Sequence, residues 1–160
     1  MISATAEHAV RAVLFLARHE SARALSADAI AAELGAPRNY LAKTLNALAK
    51  AGIVHSARGA AGGFTLAIAP DKLTLARVIS PFDDQARTPA CLLKNRACDP
   101  LNPCGVHARW TAIIGHAASQ FEKTTVADLL RDTQIEAPRP FVRPPTMLGE
   151  NIGPRRHMFA

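Results

Sequence analysis

Between Leu34 and Pro70 the chain has no Asp or Glu, while Arg38, Lys43, Lys50 and Arg58 supply four positive charges there. That absence excludes an acidic surface over this stretch and leaves a local basic face, with an ordinary solvated helix face as the plainer alternative. The formal net charge of +6 favours an anionic partner without locating a site. Long apolar runs are also missing. The stretch Ala9 to Ala17 is broken by Arg11, and no basic leader precedes it, so neither a signal peptide nor a membrane span is expected. Cysteine is scarce and odd in number. Cys91, Cys98 and Cys104 are the only three, which argues against a disulfide framework and for metal or redox chemistry in a reducing, cytoplasmic compartment. Catalytic signatures are absent too: no Ser-His-Asp set, no Cys-His pair with an orienting partner, and no phosphate-binding glycine loop opening a helix. A non-enzyme is expected.

What is present suits one compact domain plus an extension, since 160 residues that are 49% hydrophobic can bury a real core. Ala6, Ala9, Val10, Val13, Leu14 and Ala17 recur at helical spacing after Ser3 or Thr5, predicting a first helix to about His19. Ser26 caps a second helix through Leu34, which Gly35 ends. Pro37 suits the first turn of a third helix, with Leu41, Leu45 and Leu48 inward and Gly52 closing it. Helix, tight turn, helix is the helix-turn-helix pattern. Two β-prone runs follow, Ile53 to Ala57 and Phe64 to Ile68, and the glycine-rich linker between them reads as a hairpin wing. Thr74 caps a fourth helix through Ile79, stopped by Pro81. A long helix from about Gly105 to Lys123 carries the stripe Val106, Trp110, Ile113, Ile114, Ala117 and Phe121, which suits packing against a twin; Thr125 then caps a short helix through Leu130.

The expected class is therefore mostly α with a small β-hairpin wing: a winged helix-turn-helix plus a long dimerisation helix. Residues 1–82 form the winged domain, 83–104 a cysteine-containing loop, 105–132 the dimerisation helix and a short C-terminal helix, and 133–160 a flexible Pro/Arg-rich tail.

A recognition helix needs polar or cationic side chains near its N-terminal end, where base edges are reached while the apolar face stays in the core. Arg38, Asn39, Lys43 and Asn46 meet that need: Arg pairs with guanine, Asn with adenine, and Lys with phosphate. In the wing, Arg58 precedes Gly59 and a linker of little bulk, so that backbone can approach phosphates and the Arg can enter a minor groove; a simple tight turn is the alternative. The spacing Cys91-x6-Cys98-x5-Cys104 puts three soft thiolates on one loop and leaves a fourth coordination position to be filled, as in an iron-sulfur cluster or tetrahedral zinc. His107 lies three residues beyond Cys104. It either ligates, caps its helix or packs on Trp110.

The runs Arg38-Asn39-Tyr40-Leu41, Leu48-Ala49-Lys50-Ala51-Gly52-Ile53-Val54 and Ser56-Ala57-Arg58-Gly59-Ala60-Ala61-Gly62-Gly63-Phe64 resemble the Rrf-two family of winged-helix transcription regulators, which has IscR-like and NsrR-like branches. The likeness extends from Thr5 to Leu130 and leaves only the tail uncovered. It implies a homodimer that binds double-stranded promoter DNA, probing it with Arg38, Asn39, Tyr40, Lys43, Asn46, Arg58 and Gly59. It also implies a 2Fe-2S or 4Fe-4S cluster on Cys91, Cys98 and Cys104 that reads nitric oxide, redox or iron status. The fourth ligand is then either His107, matching the IscR-like Cys-x2-His arrangement, or Glu7, matching an acid that some NsrR-like proteins contribute from the partner's first helix. Zinc and cofactor-free thiol sensing stay open beside the cluster, and a cluster-carrying redox or assembly protein that uses the winged helix for protein contact is the rival from another class.

Overall fold

Ser3 starts the first helix as its spacing predicts: its hydroxyl accepts from the Ala6 N–H at 3.2 Å, and α1 runs Ala4–Arg18. These features come from a computed structural model, which describes residues 2–19, 23–59, 62–83, 92 and 101–132. Ser26 repeats the device, accepting from the Ala29 N–H at 3.1 Å to open α2 (Ala27–Glu33). Gly35 then takes φ +59°, a left-handed conformation that a side chain would resist, and reverses the chain into α3 (Arg38–Lys50). Pro37 stands just outside α3 and serves as its N-cap, its carbonyl accepting from the Tyr40 and Leu41 N–H groups at 3.0 Å.

Strands β1 (Val54–Ala57) and β2 (Gly63–Leu66) pair antiparallel with Val54 opposite Leu66 and Ala57 opposite Gly63. Ile53, expected in the first strand, is instead fully buried between helix and hairpin: its N–H donates to Leu48 O and its carbonyl accepts from the Ala67 N–H, both at 3.0 Å. The second strand starts and ends earlier than Phe64 to Ile68 because Gly63 already pairs with Ala57. A third element joins the hairpin. Leu25 bridges Phe64 through two hydrogen bonds of 3.0 and 2.8 Å, so the segment before α2 acts as a one-residue edge strand. Among the described residues this is a mostly helical winged-helix fold with a small antiparallel wing.

Thr74 caps α4 (Leu75–Ile79), accepting from the Arg77 N–H at 3.3 Å. After residues outside the described set, α5 (His107–Lys123) leads into α6 (Val126–Asp132). Here Thr125 and Asp128 form a reciprocal cap, with Asp128 N–H donating to the Thr125 hydroxyl at 3.1 Å and Thr125 N–H to the Asp128 carboxylate at 2.9 Å. The Thr125 hydroxyl also donates to the Asp128 carboxylate at 2.7 Å, and that bond first, with the Thr125 N–H second, holds the carboxyl below its ordinary range.

The core gathers α1, α2, α3 and α4: Val13, Ile30, Leu41, Leu45, Leu48 and Val78 are all fully buried. Helix α6 packs into that core. Val126 is buried, its N–H donates to Leu73 O at 2.8 Å, and Thr125 bridges Thr74. Helix α5 differs in kind: it touches α4, yet none of its residues is buried, and Ile113 is 61% exposed. No helix among the described residues is long and apolar enough to cross a membrane. The expected cysteine loop lies mostly outside the described residues, and the tail 133–160 entirely so.

Candidate nucleic-acid interface and cysteine site

Helix α3 divides cleanly into two faces. Tyr40, Leu41, Thr44, Leu45 and Leu48 are buried, whereas Asn39, Lys43, Asn46 and Lys50 are exposed and recur every three or four residues. At 100° per residue those four side chains fall on one narrow stripe, pointing away from the core. They are three of the expected contact residues plus Lys50. No acid of α3 itself occupies its first turn, and Pro37 makes no side-chain cap bond. Arg38 is exposed beside the stripe, and its Nε is paired with the carboxylate of Asp28 in the first turn of α2.

Tyr40 is placed differently from Asn39, Lys43 and Asn46. Only 6% exposed, it faces α1, where its hydroxyl donates to Thr5 Oγ1 at 3.0 Å and its ring meets the His8 ring edge-on at 5.5 Å. In that position Tyr40 fastens the start of α3 to α1. The helical pattern 40, 41, 44, 45, 48 could have revealed this, because it widens the buried arc beyond the leucines. His8, buried in the same interface, has its pKa lowered by burial and by Arg11, with Glu7 opposing.

In the wing, Arg58 is exposed immediately after β1, and Gly59 takes φ +105°. The Gly62 N–H closes the turn onto Gly59 O at 2.9 Å; residues 60 and 61 lie outside the described set. Gly63 has a different reason to be glycine. A Cβ there would stand 2.6 Å from Leu25 O and 2.7 Å from Leu25 C, so the bridge that seats the wing on the core leaves no room for one.

Of the proposed ligands, Cys91 and Cys98 fall outside the described residues. Cys104 is a half-exposed free thiol. The His107 N–H donates to Cys104 O at 2.9 Å, so both residues share the turn that opens α5. Val106, not His107, is the N-cap residue of that helix, and its side chain makes no cap bond. Glu7 is exposed on the first turn of α1 and paired at 2.5 Å with Arg11. Among the described residues no three His, Cys, Asp or Glu side chains converge in a metal-holding group.

One contact had no signal in the sequence. Asp83, where the described chain stops before the cysteines, accepts from the Ser3 N–H at 2.8 Å. The stem of the loop is thus tied to the cap of α1, one turn from Glu7 and two residues from Thr5.

Residues 2–132 match the model of the Rrf2 family, described as iron-dependent transcriptional regulators. An HTH-type transcriptional regulator by name, from Aquifex aeolicus, is 36% identical over 132 residues, covering 81% of this chain and 91% of that one. The HTH-type transcriptional regulator IscR of Aliivibrio salmonicida is 27% identical over 135 residues, 84% of this chain and 80% of its own. Among solved structures, T. potens IscR superposes with TM-score 0.67 at 25% identity, covering 82% of this chain and 87% of that chain. CymR, named as the global cysteine regulator of B. subtilis, gives TM-score 0.70 at 26% identity over 83% of this chain and 98% of its own. The chain belongs to the Rrf2 family and is a transcriptional regulator rather than an enzyme.

Proposed function

We propose that this chain is a cytoplasmic repressor that binds promoter DNA as a homodimer and whose hold on DNA is set by an iron-sulfur cluster on Cys91, Cys98 and Cys104. The observation that carries the DNA-binding part is the exposed stripe Asn39, Lys43, Asn46 and Lys50 on a helix free of acids, flanked by Arg58 on the wing. In the dimer the two α3 helices enter successive major grooves, with half-site centres about 34 Å apart. The unburied apolar stripe of α5, Ile113 foremost, is what a twin helix would cover.

The donor chemistry fits a cluster: soft thiolates, with Cys104 and His107 on one turn where a fourth ligand is needed. Glu7 of the partner is the other choice, and ligation there requires Arg11 to release the carboxylate. When bound, a cluster supplies a centre whose oxidation, nitrosylation or loss of iron changes its ligands. The residues of the chain would transmit that change. Asp83 links the loop stem to Ser3, and Thr5 on the next residues of α1 accepts the Tyr40 hydroxyl of the recognition helix. Movement of the stem therefore reaches α3 through two hydrogen bonds and one helix end.

The likeness to CymR favours a second reading, in which the cysteines act as thiols without a cofactor. Zinc on the same donors is a third. Anaerobic purification with an absorption spectrum and iron, sulfide and zinc analysis separates them. Coloured protein with iron and sulfide is expected. Colourless protein with stoichiometric zinc, or metal-free protein whose DNA binding follows thiol oxidation, overturns the cluster.

A further inference from the structure

We infer that Asp28 is a specificity-determining residue: its carboxylate on α2 holds Arg38 at the start of the recognition helix so that the guanidinium offers a fixed edge to a base. The inference rests on the proposed DNA-binding role of α3 and deepens it.

Arg38 and Asp28 are both exposed, with 65% and 62% of their side-chain surface open, and they join two helices whose turn is fixed by Gly35. An arginine side chain in water explores many rotamers, and an unheld one contacts phosphates and bases alike. Here the guanidinium is ion-paired through Nε with Asp28 Oδ1. Of the five N–H donors of a guanidinium, the four on Nη1 and Nη2 remain, and a fork of that kind matches guanine O6 and N7.

The charge of Asp28 argues against a merely electrostatic role. It stands beside the recognition helix, which has no acid of its own. A carboxylate there repels phosphate and so weakens binding to every duplex equally. Orientation of Arg38 favours only duplexes with guanine at one place. Loss of general affinity combined with gain at one base pair is a gain in selectivity. Asp28 also suits the N-terminal dipole of α2, a local role that would leave base preference untouched.

The test uses the full chain and a duplex library with a randomised core, selected first with wild type. Binding of the selected duplex, and of versions with the candidate guanines replaced singly, is then measured for wild type, Asp28→Ala, Asp28→Asn, Arg38→Ala and the double variant Asp28→Ala/Arg38→Ala. Wild type should prefer guanine at one position in each half-site. Asp28→Ala should lose roughly threefold to tenfold of that preference, part of what a bidentate contact supplies, while its binding to an unselected duplex pool holds or strengthens. Asp28→Asn, which keeps a neutral acceptor, should restore part of the preference. With Arg38 already removed, Asp28→Ala should change the preference no further. Equal preference in wild type and Asp28→Ala, or full additivity in the double variant, overturns the inference while the DNA-binding reading stands. Wild type with no salt-dependent duplex binding overturns the DNA-binding reading itself.

Discussion

Gly63→Ala should unseat the wing. The new Cβ would stand 2.6 Å from Leu25 O, where ordinary contact begins at 3.4 Å, so the two segments must part by 3.4 − 2.6 = 0.8 Å. The atoms it meets are backbone, and no rotamer change relieves them. Taken up along the bridge, that shift carries the Leu25 N to Phe64 O distance from 3.0 to about 3.8 Å and the Phe64 N to Leu25 O distance from 2.8 to about 3.6 Å, beyond hydrogen-bond range. Losing two bonds of about 0.5–1.5 kcal/mol each gives a destabilisation of about 1–3 kcal/mol. Urea unfolding of the full chain measures it, and duplex affinity should fall with it, because Arg58 is carried by the same hairpin. Gly115→Ala is the control: it lies within α5 with nothing inside 4 Å, and should gain about 0.5–1 kcal/mol from helix propensity. A Gly63→Ala protein within about 0.5 kcal/mol of wild type would refute the close-approach argument.

Lys43→Ala and Arg58→Ala should each lower the slope of log affinity against log salt by about 0.9 if the side chain meets one phosphate; filter binding across a salt series checks this, and unchanged slopes remove both from the interface. Ile113→Glu places a charge in the exposed stripe of α5, so light scattering should find a folded monomer in place of a dimer, whereas an intact dimer would move the interface elsewhere. His8 makes the interface of α1 with Tyr40 sensitive to acid. Its folded pKa is lowered below 6.5 by burial and Arg11, against Glu7, so the unfolded chain takes up a proton first. The stabilisation is whole above about pH 6.5 and is lost as pH falls through that value towards the lowered one. Urea midpoints at about pH 7.5 and about pH 5.5 should therefore differ in wild type and differ less in His8→Leu; equal pH dependence in both would assign the slope to another group.

The first four helices are legible because local chemistry fixes their ends: Ser3, Ser26 and Thr74 each hold a cap bond, and Gly35 and Gly52 take positive φ at helix ends. The wing is legible from its glycines. What escapes the sequence is non-local. Leu25 forms a one-residue bridge with no alternation to announce it, and α6 returns to the core through backbone bonds from Val126 and Ala127 that no periodicity encodes. Tyr40 looks polar enough for a groove by residue type, and its partners Thr5 and His8 on α1 are non-local. On the proposed DNA face, residue type and helical spacing suffice to put Asn39, Lys43 and Asn46 on one exposed stripe. The Asp28 partner of Arg38 comes from the crossing of two helices and is visible only in three dimensions. Of the proposed cysteine site, the structure describes only the turn that Cys104 and His107 share at the start of α5, while Cys91 and Cys98 lie outside the described residues.

The most direct test of the account is the affinity of anaerobically purified full chain for a wild-type-selected duplex, measured with iron and sulfide present, after chelation of the iron, and after nitric oxide. The account predicts a change of about tenfold or more between the loaded and the altered states, within the usual span of coupling between two sites, and one unchanging affinity for folded, dimeric Cys98→Ala. Equal affinity of the wild-type protein in all three states would contradict it.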